Sequence, residues 1–376
     1  PTQAISEYGV DALRFALTTG SSPGNDINLG KGRLESSRNF ANKLWNASRF
    51  IFQSIDAELL KGEALQIIPS PLMGEGEGDH LQLEAEQPQR IEDRWIVSQL
   101  NRLIKSVANL MEDFQFGEAE QQVYDFLWSK FCDWYIEIAK IRIRDDSIPS
   151  PLPFLVNTLE KSLRLLHPFM PFITEELWQN LKQRLPEESE MPDSIMVAPY
   201  PLADDKTFDP EAERVMDCVI EVIRSIRNAR AQYKVKPANW IEAQVYTDEL
   251  LSGLIPQSEI IEKLARVQPL AILSRQERKL AKEEALILVL KEAEVVLPWA
   301  GMVDRLAEKQ RLTKESDITK ARTAQLEARL KDNAFLSKAP PHIIEKEKQK
   351  LDTLKDKLKR LNLELSQLSS SIEGEN

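Results

Sequence analysis

One predicted helix carries cationic and amide side chains along one side and no acids. At about 100° per residue, the six cationic and amide side chains between residues 38 and 49 fall within an arc of about 140°. They are Arg38, Asn39, Asn42, Lys43, Asn46 and Arg49. The opposite arc is apolar apart from Ser48, and we assign Trp45 to it. The chain contains 60 Asp and Glu residues, yet none lies between Glu35 and Asp56.

This polar face predicts a contact with nucleic acid. Arginine and lysine bind phosphate, and asparagine amides can read the edges of bases. A solvated surface helix would usually include glutamate, and three asparagines lower helix propensity. Even so, a solvated face is the alternative, and residue types alone leave both readings open.

Two further groups of basic residues could bind phosphate. The first lies at the end of a predicted helix and beyond it: Arg224, Arg227, Arg230, Lys234 and Lys236. The alternative for this group is pairing with nearby acids or with another domain. The second lies between residues 304 and 364, where 16 Lys and Arg outnumber 11 Asp and Glu although the whole chain has a formal net charge of −11. Such a segment predicts local contacts with a phosphate backbone, and salt bridges along a coiled coil are the alternative.

Composition argues against several other kinds of site. No apolar run approaches the roughly 20 residues that a membrane-spanning helix needs. Cys132 and Cys218 are 86 residues apart, which excludes a disulfide framework and a cysteine zinc site. With only three histidines in the chain, we expect no histidine-based catalytic site. We therefore predict no catalytic residue, no metal site and no membrane association.

Hydrophobic periodicity predicts a mainly α chain. Apolar residues recur every three or four positions between residues 31 and 185, which predicts an antiparallel helix bundle inside a domain of residues 31–205. Residues 56–90 are acidic and contain a Gly- and Pro-rich stretch, which predicts a mobile insertion. The predicted helices cover about 4–20, 33–55, 93–110, 117–144 and 153–166, with another starting near Thr174.

The rest of the chain predicts two smaller parts. Residues 206–301 predict an α+β connector, with a helix over about 210–231 followed by short strands. The strands are expected near 241–247, 270–273, 285–290 and 295–297. Residues 302–376 predict an antiparallel coiled-coil hairpin of two helices, since apolar residues follow a heptad spacing from Ile344 to Leu368.

Several segments resemble one family of enzymes. Residues 7–15, EYGVDALRF, resemble the helix that follows the signature lysine loop of class I aminoacyl-tRNA synthetases. The segments that resemble the valyl-tRNA synthetase family or its subgroup are PGNDIN at 23–28, RNFANKLWN at 38–46, HPFMPFITEELW at 167–178, AGMVD at 300–304 and KAPP at 338–341. The resemblance covers nearly the whole chain in the expected order, although residues 56–90 are longer and more acidic than this connection usually is.

The resemblance implies that separate parts of a larger enzyme carry out catalysis and tRNA binding. The family joins valine to tRNA(Val) using ATP and Mg²⁺, and the resemblance places residues 1–30 at a junction after the lysine loop. Catalytic and editing domains would then precede this chain, which itself would need no cofactor. We expect a cytoplasmic monomer that binds tRNA through the bundle and the C-terminal arm. A freestanding tRNA-binding protein derived from a synthetase and a coiled-coil scaffold are the alternatives.

The resemblance also implies roles for the basic residues. The helix with the Arg–Asn face would read the anticodon, with Arg33 added to the six residues named above. The Arg224–Lys236 group would contact the tRNA backbone. Three lysines at the tip and second helix of the arm would do the same: Lys338, Lys346 and Lys348.

Overall fold

The computed structural model describes most of the chain in two compact units. The described residues are 2–19, 29–61, 90–145, 147–186, 191–277, 285–299 and 305–331, with single positions between 347 and 361. The first unit comprises residues 1–224, 247–265 and 290–293, and the second comprises residues 225–246, 266–289 and 294–376.

The first unit is a helix bundle. Its helices are α1 Thr2–Tyr8, α2 Val10–Thr18, α3 Lys31–Leu60, α4 Ile91–Glu112, α5 Phe116–Asp125, α6 Ile136–Arg142, α7 Leu152–Leu166, α8 Pro171–Lys182, α9 Pro210–Gln232, α10 Leu251–Leu254 and α11 Ser258–Ala265. A π-helical stretch, Phe126–Tyr135, joins α5 to α6 without a break. Helix α9 begins in this unit and continues into the second one.

The bundle core consists of large apolar side chains at helical spacing. Phe40, Trp95, Phe131, Tyr135 and Trp178 are among the largest fully buried side chains. Helix α3 buries residues at intervals of three or four along its length, including Leu44, Ile51 and Ile55. This stripe fixes the rotation of α3 about its own axis, and hence the face that it turns outward.

The mainly α prediction is confirmed, and the helix ends differ in detail. Gly9, with a φ of 91°, separates α1 from α2, where we predicted one helix, because this left-handed conformation favours glycine. Helix α8 begins at Pro171 rather than near Thr174, since proline is tolerated in the first turn. The Asp11 carboxylate accepts hydrogen bonds from the backbone N–H groups of Phe172 and Ile173 there.

Two predictions about connections need correction. Helix α3 continues to Leu60, so residues 56–60 are helical rather than part of an insertion. The remainder of the predicted insertion, apart from Lys61 and Arg90, lies outside the described residues. Helices α10 and α11 were not predicted, because segments of four and eight residues are too short for a clear helical period.

The second unit contains a four-stranded sheet in the order β2-β1-β4-β3. Its strands are β1 Ile241–Tyr246, β2 Val267–Leu273, β3 Ala285–Val289 and β4 Glu294–Pro298. Strand β1 runs parallel to β2 and antiparallel to β4, and β3 is antiparallel to β4. All four strands were predicted from the sequence.

The last described helix, α12, spans Arg305–Lys331. Ser316, Thr319 and Thr323, which share one side of α12 at heptad spacing, are buried. Glu327 pairs with Lys355 at 2.8 Å, so a later segment of the chain lies against this helix. The tip of the predicted hairpin lies outside the described residues.

The described residues contain neither a candidate membrane-spanning helix nor a candidate group of metal-binding side chains. In the part of the chain that it describes, no helix is long and apolar enough to cross a membrane. Within the same part, His, Cys, Asp and Glu side chains form no group of three that could hold a metal ion. Cys132 and Cys218 are free thiols.

Candidate nucleic-acid interface

The exposed face of α3 carries most of the predicted contact residues. Because the apolar stripe packs into the bundle, the opposite side of the helix faces outward. The residues exposed there are Arg38, Asn39, Asn42, Asn46 and Arg49. We call this set, together with Trp45, the α3 face.

Trp45 belongs to the α3 face although the sequence analysis assigned it to the apolar side. Its side chain is 41% exposed. On the helical wheel it lies about 20° from Arg38, at the border between the two arcs. It is three residues from Asn42 and four from Arg49, which are the neighbour spacings on a helix surface. An exposed indole ring beside cations and amides can stack on an unpaired base.

Lys43 is engaged by the bundle, and its assignment as an RNA contact stays a prediction. Its Nζ lies 2.6 Å from Oδ1 of Asp133 and 3.8 Å from the centroid of the Trp128 ring. The ammonium also donates to the Trp128 carbonyl at 3.3 Å. Charge pairing and a cation–π contact therefore hold this side chain against the π-helical stretch.

Arg33 also differs from its prediction. It is five residues before Arg38, and at about 100° per residue it therefore lies on the opposite side of α3. Its side chain is half-buried, and its Nη2 is buried without a hydrogen-bond partner among the described residues. The positive charge of Arg33 acts on the buried Glu120 carboxyl and lowers its pKa, against the larger opposing effect of burial. Arg33 therefore faces the protein interior and not the α3 face.

The α3 face carries no acid of its own, and two acids flank it, of which Glu35 is exposed one turn before Arg38. Asp56 is the first acid after the face, and Arg184 pairs with it at 3.0 Å. The Arg184 guanidinium also lies over the Phe52 ring, 5.0 Å from the centroid. Arg38 lies 5.3 Å from the centroid of the Tyr8 ring, which orients its guanidinium while leaving it exposed.

The second basic group separates into residues with different surroundings. Arg224 is exposed and lies over the Trp134 ring, 5.3 Å from the centroid. Arg227, Lys234 and Lys236 are exposed. Arg230 is buried, so its assignment as an RNA contact is corrected. The sequence showed a basic residue at helical spacing, but not the carbonyl groups that surround it.

The predicted contacts in the arm are not described by the structure. Lys338, Lys346 and Lys348 lie outside the described residues. Their assignment to the tRNA backbone stays a prediction.

Two family models match the chain. Residues 93–246 match the anticodon-binding domain of tRNA ligase, and residues 304–369 match the valyl tRNA synthetase tRNA binding arm. The fold and these matches define the class as that of the aminoacyl-tRNA synthetases.

Relatives in three organisms are similar to nearly the whole chain. The valine–tRNA ligase of Dehalococcoides mccartyi strain CBDB1 is 45% identical over 361 residues, which is 96% of this chain and 38% of that protein. The enzymes of Symbiobacterium thermophilum and Geobacillus stearothermophilus are 37% and 34% identical, each over 98% of this chain and 40% and 39% of their own length. The chain belongs to the valine–tRNA ligase family and spans about two fifths of the length of these relatives.

A solved structure of a ternary complex of LeuRS, tRNA and LeuAMS from Agrobacterium radiobacter K84 is also similar. Its identity is 21% and its TM-score 0.40, covering 56% of this chain and 22% of that one. This likeness is too low to add to the argument.

Proposed function

We propose that this chain is the tRNA-binding part of a valine–tRNA ligase, which attaches valine to tRNA(Val) in an ATP-dependent reaction of protein synthesis. The observation that carries the proposal is the exposed α3 face, which is free of acids in a chain with a net charge of −11. The matches to an anticodon-binding domain and to a tRNA binding arm support the same conclusion.

The α3 face has the chemistry that an anticodon loop requires. Its bases are unpaired, so their Watson–Crick edges and flat faces are accessible. Asn42 and Asn46 donate and accept hydrogen bonds at base edges, and Trp45 stacks on a base. Arg38 and Arg49 bind the phosphates that connect these bases.

We assign the chemical steps of the reaction to the rest of the protein, and the contact with the outer corner of the tRNA to the arm. ATP and Mg²⁺ serve the chemical steps in the whole protein, and this chain contributes no catalytic residue to them. The arm, including Lys338, Lys346 and Lys348, contacts the outer corner of the tRNA. We further propose that the protein acts in the cytoplasm as a monomer.

Binding of tRNA to single variants tests this proposal. Asn42→Ala and Asn46→Ala should each weaken binding of tRNA(Val) by about 1–3 kcal/mol and change binding of a tRNA with another anticodon much less. Arg49→Gln should weaken binding of both tRNAs and reduce the slope of log K against log salt by about 0.7–0.9, because one phosphate contact is lost. Fluorescence anisotropy at several salt concentrations measures both effects.

Matched control variants separate these effects on tRNA binding from a general loss of folding. Asn109→Ala on α4 and Arg144→Gln change exposed residues of the same types away from α3, and should leave binding unchanged. Trp45→Phe should retain most of the affinity that Trp45→Ala loses, because phenylalanine still stacks. Unchanged discrimination in both asparagine variants would show that α3 does not read the anticodon. A coiled-coil scaffold would bind no tRNA, and a freestanding tRNA-binding protein would bind it without supporting valine attachment by the rest of the enzyme.

A further inference from the structure

A loop in the second unit, residues 233–240 between α9 and β1, is held by hydrogen bonds to its backbone carbonyls. Arg230 is 7% exposed, and its Nη2 donates to the carbonyl oxygens of Asn239 at 2.8 Å and Lys236 at 3.3 Å. The Arg266 guanidinium donates to the carbonyl oxygen of Pro237. Two arginines thus fix three of the four carbonyls between residues 236 and 239. The loop is ordered in this way before any ligand arrives, which lowers the entropic cost of binding.

The two arginines also hold each other in place. Nη1 of Arg230 donates to the carbonyl oxygen of Arg266 at 3.3 Å, and the backbone N–H of Ile241 donates to the same oxygen at 3.3 Å. The parallel pairing of Ile241 with Val267 brings this turn beside the start of β1. The loop is therefore attached to the sheet at one end and to α9 at the other.

The end of α9 places a lysine in a costly backbone conformation. Lys234 has a φ of 52°, and the N–H of Val235 donates to the Arg230 carbonyl at 2.9 Å, as in a left-handed helix C-cap. Glycine is favoured at this position, and a residue with a Cβ costs roughly 1–2 kcal/mol there. The sequence thus carries a cation where an uncharged glycine would be more favourable.

Positive charge in this loop has no carboxylate partner in the part of the chain that the structure describes. Among the residues that the structure describes, none forms an ion pair with Arg230, Lys234, Lys236 or Arg266, and the acceptors of both guanidinium groups are neutral carbonyls. Burial, and then the charge of Arg266, lower the pKa of the Arg230 guanidinium. The nearest acid along β1, Glu242, accepts a hydrogen bond from Gln244 at 3.2 Å. Among the described residues, the cations of the loop are therefore not paired with an acid, although the whole chain is acidic.

The loop exposes two kinds of group that together suit RNA. Lys234 and Lys236 are exposed cations, and Trp240 at the end of the loop is 46% exposed. Lysines on a fixed backbone bind phosphate, and an exposed indole stacks on an unpaired base. Single-stranded RNA offers both partners at adjacent positions.

We infer that this loop is a second RNA contact, separate from the α3 face. Lys234 and Lys236 bind phosphates, Trp240 stacks on a base, and Arg230 and Arg266 are positioning residues that hold the loop without touching RNA. The inference rests on the proposed function, because the RNA is the tRNA that α3 also binds.

The test uses the full chain and a transcript of tRNA(Val). Lys234→Gln/Lys236→Gln should weaken binding roughly 10-fold at 0.1 M salt and reduce the salt slope by about 1.5, since two phosphate contacts are lost. Lys206→Gln/Lys291→Gln, the matched control, removes the same charge from exposed lysines elsewhere and should leave both values unchanged. Trp240→Ala should also weaken binding roughly 10-fold, and Trp240→Phe should restore most of the affinity.

A further variant distinguishes positioning from contact. Arg266→Gln should weaken tRNA binding in the otherwise unchanged chain and speed hydrogen exchange of the backbone amides in the loop. In the Lys234→Gln/Lys236→Gln/Trp240→Ala background, the same substitution should have no further effect. A further loss of affinity with a lower salt slope in that background would show that Arg266 contacts RNA itself, which would overturn its positioning role.

The outcomes separate this inference from the proposed function. If Lys234→Gln/Lys236→Gln behaves like its control while Arg49→Gln still weakens tRNA binding, the loop is not an RNA contact and the proposed function stands. If the loop variants weaken binding and the α3 variants do not, the inference stands and the assignment of α3 falls. A chain that binds no tRNA would overturn both.

Discussion

Replacing Glu120 with glutamine should remove a large pH dependence of stability from the helix bundle. Glu120 is fully buried on α5, and its carboxyl oxygens contact the hydroxyls of Thr18 and Thr19 at the end of α2. The Thr19 hydroxyl also donates to the carbonyl oxygen of Phe15 at 2.7 Å. The Thr18 and Thr19 hydroxyls are thus the polar groups that face the buried carboxyl group.

The size of the effect follows from the pKa of Glu120. Burial raises this pKa from 4.5 to about 7, while the threonine hydrogen bonds and the charge of Arg33 act in the opposite direction. Because the folded-state pKa lies above the unfolded-state value, the stabilisation is fully present below pH 4.5 and is lost as the pH rises through 7. A difference of this size corresponds to about 3 kcal/mol at full ionisation.

Urea unfolding between pH 4.5 and pH 8 measures this change. The unmodified chain should lose about 3 kcal/mol relative to Glu120→Gln across this range, because the amide cannot ionise. Glu118→Gln, an exposed position on the same helix, is the control and should follow the unmodified chain. Parallel curves for the unmodified chain and Glu120→Gln would refute the reasoning, since Glu120 would then titrate alike in the folded and unfolded states.

Two further substitutions test packing in the first unit. Arg142→Ala should destabilise the chain by about 3–5 kcal/mol in urea unfolding, because the buried Asp93 carboxylate, which lies 2.6 Å from Arg142 Nη1, loses its cation. A smaller loss of stability in Arg142→Ala/Asp93→Ala would identify the unpaired charge as the cause, and an equal or larger loss would exclude it. Gly253→Ala should lower the free energy of unfolding by about 1–3 kcal/mol, because the added Cβ would lie 2.7 Å from a Val215 methyl carbon. Val215→Ala should relieve this clash, and a melting temperature unchanged by Gly253→Ala would contradict the prediction.

The outward direction of α3 could be predicted from the sequence, but the partners of its side chains could not. The apolar stripe from Leu34 to Ile55 determines which side of the helix is buried. Lys43 falls on the polar arc, yet Asp133 and Trp128 reach it from the π-helical stretch. A helical wheel contains no information on neighbouring helices, so it could not identify this pairing.

For Trp45, the sequence analysis predicted a buried side chain, and the structure has an exposed one. Assignment by hydrophobicity placed it in the core, although its wheel position borders the polar arc. In the structure Leu44 is buried, whereas Trp45 is exposed. A tryptophan near the border of a cationic face is the signal that could have identified it, because large aromatic side chains on such a face suit base stacking.

Arg230 illustrates what only tertiary structure can supply. Its acceptors belong to residues 236–239 and to Arg266, which is 36 positions away in the sequence. Pairing of β1 with β2 brings these carbonyls together. Spacing along α9 groups Arg230 with exposed arginines, and no property of the residue itself distinguishes a positioning role from an RNA contact.

The negative charge of the chain determines how specificity can arise under the proposed function. A net charge of −11 repels the RNA backbone within about a Debye length, roughly 8–10 Å, so binding depends on local cations. Lys43 is neutralised by Asp133, whereas Arg49 and Lys236 are exposed. Phosphates are the same in every tRNA, so these cations raise the affinity for all tRNAs alike. Under the proposed function, we therefore assign discrimination between anticodons to groups that read base edges, such as the amides of Asn42 and Asn46 on the α3 face.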